Sequence, residues 1–70
     1  SDLQHATTTC FTTVLSGTGT LMADNSKGET RTYSVKSGQG FMIFPGQINT
    51  YIADEQLHGN ICGSNLTAYV

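Results

Sequence analysis

Seventy residues with a formal net charge of −2 allow at most one small domain, and a chain this short buries only about 60% of the surface it exposes when unfolded. Lys27, Arg31 and Lys36 are the only firm cations, too few to neutralise a run of phosphates, which argues against direct DNA or RNA binding. No apolar run approaches the roughly 20 residues of a membrane-spanning helix, and no basic segment followed by an apolar one opens the chain, so a soluble, cytoplasmic protein is expected.

The opening stretch SDLQHATTT lacks apolar periodicity and reads as a lead-in without regular structure. CFTTVLSG then alternates as a strand, with Phe11, Thr13 and Leu15 on one side and Cys10, Thr12 and Val14 on the other. Gly17 and Gly19 bracket a bend. A second strand over 20–24, the turn cluster NSKG and a third strand ETRTYSV form a hairpin. On that third strand Arg31, Tyr33 and Val35 alternate with Thr30, Thr32 and Ser34. KSGQG is the next turn, and the continuous run Phe41-Met42-Ile43-Phe44 predicts a strand buried on both faces until Pro45 ends it.

QINTYIA resumes with Ile48, Thr50 and Ile52 on one face and Asn49, Tyr51 and Ala53 on the other. Beyond Asp54-Glu55 the alternation weakens: QLHGNICGSN reads as turns, and LTAYV as a last short strand. No segment of helical length carries a 3.6-residue apolar period, so the fold class is all-β, a sandwich or barrel. Cys10 and Cys62 have no C-x-x-C spacing, and in a cytoplasmic protein two buried thiols are expected. Neither His5 nor His58 stands in a ligand-spaced pair with a cysteine, and no serine has an evident His-Asp arrangement to activate it.

The Gly-x-Gly bend, the hairpin and then SGQGFMIFPGQINTY followed by Ala-Asp-Glu resemble the N-terminal ligand-binding and dimerisation domain of AraC-family transcriptional regulators. The resemblance covers about residues 15–55 of a single unit, 1–70. It implies a cupin-like jelly roll, a double-stranded β-helix, here as a partial barrel. In the second cupin motif Gly38 takes the first glycine, Phe44 stands where a proline is usual, Gly46 takes the later glycine, and Asn49 falls at the metal-binding histidine. The paired histidines and glutamate of the first motif have no counterpart between Val14 and Tyr33.

The resemblance therefore implies a sensor without metal cofactor or catalysis. A carboxamide is a poor ligand for iron, manganese or zinc, yet it both donates and accepts hydrogen bonds to neutral polar groups. Asn49 and Tyr51 are the expected contacts to a small polar effector such as a sugar, with Arg31 as a further candidate clamp. The expected partners are that effector, a second copy of the chain in a homodimer or higher oligomer, and DNA only through a helix-turn-helix domain outside these residues. The same resemblance expects the chain to be a piece of a longer sensor domain. A small cupin enzyme with isomerase, epimerase or dioxygenase chemistry, and a secreted structural β module with Cys10 and Cys62 oxidised together, are the alternatives. In the secreted case Asn65-Leu66-Thr67 would be a glycosylation sequon.

Overall fold

A computed structural model describes residues 2–5, 7–25 and 27–70, with side chains from Thr7 onward. Ser1 and Ala6 of the expected lead-in, and Ser26 of the NSKG turn, lie outside the described residues. The chain forms six strands, β1 (Asp2–His5), β2 (Cys10–Asp24), β3 (Thr30–Lys36), β4 (Gly40–Ile43), β5 (Ile48–Ile61) and β6 (Ser64–Ala68), and no helix among the described residues. The all-β expectation holds.

Two long strands organise the sheet. β2 pairs antiparallel with β5 along nearly its whole length, and its other edge carries β4 at residues 10–13 and β3 at residues 18–24. The outer edge of β5 is shared in the same way, by β1 at residues 48–51 and by β6 at residues 57–61. The result is one antiparallel sheet, four strands wide, that does not close on itself among the described residues.

The sheet bends in the middle. The β2–β5 register shifts repeatedly between Val14 and Gly19, and Asp54, Glu55 and Gln56 are all exposed on the outside of the same corner. Before the corner β2 buries Thr12 and Val14; after it, Gly19 and Leu21. A strand that changes from even to odd inward positions must gain or lose a residue against its partner, and these bulges supply that slip. Gly17 makes the corner possible: its φ is +93°, and a Cβ there would collide with the main-chain carbonyl of Gln56.

Bending brings the inward side chains of the two halves together. Val14, Leu57, Ile61, Leu66 and Ala68 from one half join Leu21, Val35, Tyr51 and Ala53 from the other in a single buried cluster. The shortest principal extent, 16 Å, is enough for two sheet layers about 10 Å apart.

Four expectations about the strands need correction. Residues 2–5 are not an unstructured lead-in but a strand zipped onto β5, because an edge of β5 was free to take one. The two strands expected on either side of Gly17 and Gly19 are one, since a bulge can bend a strand without ending it. The run 41–44 is not buried on both faces: Ile43 is, and Phe41 packs against the core, but Met42 and Phe44 are each 50% exposed because β4 lies along the sheet's edge. QLHGNICGSN is not mostly turn. β5 runs through it to Ile61, and Cys62-Gly63 reverses the chain into β6, both with positive φ (53° and 84°) as a type I′ turn requires.

Cys10 and Cys62 form a disulfide, which corrects the expectation of two thiols. The fold brings them together independently of the bond: Cys62 N–H donates to the carbonyl of Phe11 at 3.1 Å, placing the β5–β6 turn against the start of β2.

Candidate ligand site

Asn49 owes its position to a turn that is built twice. In Phe44-Pro45-Gly46-Gln47 the glutamine N–H donates to the Phe44 carbonyl at 3.4 Å, and its side-chain Oε1 accepts from the Phe44 N–H at 3.3 Å. Lys36-Ser37-Gly38-Gln39 repeats the arrangement: Gln39 N–H donates to the Lys36 carbonyl at 3.2 Å and Gln39 Oε1 accepts from Lys36 N–H at 2.8 Å. In each turn a glycine with φ near +85 to +90° precedes the glutamine, as a type II turn requires at its third residue. The first turn hands the chain from β3 to β4 and the second hands it from β4 to β5, so β4 is held between two like clips.

Cross-strand register then sets what stands beside Asn49. One row across the inner face reads Arg31, Ala23, Asn49; the next reads Tyr33, Leu21, Tyr51; the third reads Val35, Gly19, Ala53. The three residues singled out from the sequence, Arg31, Asn49 and Tyr51, thus share one face and two adjacent rows. Ala23, small and between Arg31 and Asn49, leaves the first row hollow.

A cavity of 310 Å³ occupies that hollow, within the range of small-molecule sites. Leu21, Ala23 and Asn49 line it from the inner face, Phe41 and Phe44 from the β4 side, and Tyr33 from β3. Among the described residues its lining includes no Asp, Glu, Lys, Arg or His. A second cavity of 240 Å³ adjoins it, sharing Ala23, Tyr33, Phe44 and Gln47 and adding Arg31 with Glu29. Arg31 is therefore at the outer cavity and exposed, not beside Asn49.

Asn49 is fully shielded from solvent, and neither its Oδ1 nor its Nδ2 has a hydrogen-bond partner among the described residues. An unpaired buried amide costs about 1–3 kcal/mol, which is why such groups are rare away from functional sites. Asn49 does not serve the main chain of the Pro-Gly turn, since Gln47 performs that task. Tyr51 is also fully buried, but it belongs to the core cluster and does not line the cavity.

The arrangement offers a donor and an acceptor at the floor, aromatic walls and one cation at the outer end. That set can hold an uncharged molecule whose ring faces lie on Tyr33, Phe41 or Phe44 while adjacent polar atoms meet the carboxamide. Among the described residues no group of three or more His, Cys, Asp or Glu side chains comes together as a metal site.

Phe41, Phe44 and Tyr33 were not foreseen as lining: the two phenylalanines read as core and Tyr33 as half of an ordinary alternation. The signal was present in the hairpin register, because pairing Ala23 with Arg31 puts Tyr33 on the face of Asn49. No protein-family profile, curated protein or solved structure matches the chain.

Proposed function

We propose that this chain is a non-catalytic binding module whose cavity takes a small, uncharged polar molecule such as a sugar. The single observation carrying this reading is Asn49, buried at the floor of a cavity that has aromatic walls, with neither amide atom paired among the described residues. Because the amide is shielded in this structure, a ligand that reaches it must displace the contacts now covering it. Binding would thus be coupled to movement of the β4 side of the cavity.

The resemblance to AraC-family sensor domains extends the reading. The bent sheet would be part of a cupin-like jelly roll, and the ligand an effector whose occupancy is reported to a separate DNA-binding domain. Such reporting requires the effector to favour one arrangement over another, which closure over Asn49 would provide.

Calorimetric titration of the protein with a panel of neutral monosaccharides tests the core of the reading, run in parallel on Asn49→Leu. Binding that is present in the wild type and lost in the folded variant is the expected result. Equal binding by both proteins, or binding only of charged ligands, would overturn it.

A second reading has its own observation. The Cys10–Cys62 disulfide suits an oxidising compartment, where such bonds persist, rather than the cytoplasm that a transcriptional sensor implies. In a secreted or periplasmic binding module Asn65 of the N-L-T triplet, exposed on β6, would be open to glycosylation in a glycosylating host. Thiol titration of denatured protein taken directly from its source separates the two readings: two reactive thiols place it in a reducing compartment, none in an oxidising one.

A further inference from the structure

The free edge of β4 differs from the other edges of the sheet. β3 carries Arg31 and Lys36, and β6 presents Asn65 and Thr67 on its outer face, whereas 37–53, which includes β4 and both flanking turns, has no charged residue. Charges and polar groups on an edge discourage pairing with another chain; a short, uncharged, apolar edge invites it.

The register determines which main-chain groups are free. Val14 N–H donates to the Gln39 carbonyl, and Thr13↔Gly40, Thr12↔Phe41, Phe11↔Met42 and Cys10↔Ile43 continue the ladder. Hydrogen-bonded and non-hydrogen-bonded pairs alternate in an antiparallel ladder, so Phe41 and Ile43 bond to β2 while Gly40 and Met42 turn their N–H and C=O outward. The next residue, Phe44, has its N–H and C=O taken up by Gln47.

We propose that this edge pairs antiparallel with β4 of a second copy, in the register that centres Phe41 on Phe41 of the other chain. That register places Gly40 opposite Met42 and Met42 opposite Gly40, and all the outward main-chain groups of both residues find partners. It is also self-complementary in side chains. Gly40 has no side chain, and the ring of Phe11 lies over it so closely that a Cβ would clash. Met42 of the opposite chain therefore meets the exposed face of that aromatic ring, a favourable thioether–aromatic contact made twice about the two-fold axis. Phe11 and Met42 are 53% and 50% exposed in the single chain, which leaves both available for it.

A pairing confined to one four-residue strand from each chain falls below the area of a permanent dimer, so the association is weak, on the order of micromolar to millimolar. It does not depend on ligand, and the test is run without one. Sedimentation equilibrium of the wild type is compared with Met42→Lys, which places a charge on the edge at a side chain already half exposed. The expected result is concentration-dependent dimerisation weakened at least tenfold by the substitution. Amide exchange measured at low and high protein concentration locates the contact: protection of Gly40 and Met42 should rise with concentration while β3 and β6 stay unchanged. A monomer throughout the range, an unaffected Met42→Lys dimer, or protection gained on β3 or β6 instead, would each overturn the proposal.

Discussion

The two ends of the folded sheet solve the burial of their inner faces differently. At one end Val14, Leu57, Ile61, Leu66 and Ala68 fill the space between the layers and the disulfide ties the start of β2 to the β5–β6 turn. At the other, Ala23 leaves a hollow, Tyr33 remains 41% exposed at its mouth, and the Asn49 side chain is buried without a partner among the described residues. Both ends contribute to the one core, but the first adds a covalent clamp, whereas the other keeps a cavity beside an amide without a partner among the described residues. Because the covalent clamp lies at the end away from the site, the cavity end is the one left free to rearrange around a ligand.

The largest effect should come from removing the clamp. The bond links residues 52 apart, and closing a loop of that length stabilises the folded state by about 4 kcal/mol on the chain-entropy estimate. Reduction is a cleaner test than substitution, because Cys62 also holds a turn position with φ 53°. Urea unfolding with and without reductant should show that loss. A loss below about 1 kcal/mol would mean that the clamped end is held by packing alone. Next in size is Leu57→Ala, 1% exposed in the same end, expected to cost about 3 kcal/mol. Its effect on ligand affinity should be small, and a large one would show that the two ends are not separable.

Legibility in the sequence tracked the same division. The β2–β3 hairpin and the face shared by Asn49, Tyr51 and Ala53 could be read because local turn chemistry and strict alternation set them. The β5–β6 hairpin was obscured because cysteine occupies a turn position where asparagine or aspartate before glycine is the usual signal. The disulfide was not legible because neither the spacing of Cys10 and Cys62 nor the composition reports their approach, and the contact between Cys62 and Phe11 depends on a bend whose bulges leave no periodic trace. Burial of the 41–44 run was overestimated for a related reason: hydrophobicity does not reveal whether a strand lies at an edge or in the centre of a sheet. The cavity needed cross-strand register, which no single strand encodes.

Asn49→Leu should raise stability and abolish binding, a pairing of effects that separates a functional residue from a structural one. Leucine keeps the branched heavy-atom skeleton of asparagine, its bulkier methyl groups can extend into the adjoining cavity, and it carries no amide to satisfy, so a gain of about 1–2 kcal/mol is expected in urea unfolding. Thr12→Val is the matched control. Thr12 is also fully buried, its Oγ1 has no partner among the described residues, and it lies outside the cavity lining. That variant should be stabilised by no more than about 1 kcal/mol, with ligand affinity unchanged. If Asn49→Leu loses stability, the carboxamide makes contacts that matter to the fold and the cavity is not its reason for being there.

The two glutamine clips provide the finest comparison, because they are alike in geometry and differ in the strand each one feeds. Gln39 leads into β4 and Gln47 into β5, where Asn49 stands two residues further on. Each side-chain bond is exposed and neutral, so Gln39→Ala and Gln47→Ala should each cost only about 0.5–1 kcal/mol. Affinity should divide them. Gln47 lines both cavities and sets the entry of β5, so its loss should weaken binding severalfold, while Gln39→Ala leaves binding near the wild-type value. Equal affinities in the two variants would show that β5 is positioned by its ladders with β1 and β2 rather than by the turn, and that the repeated clip serves β4 alone.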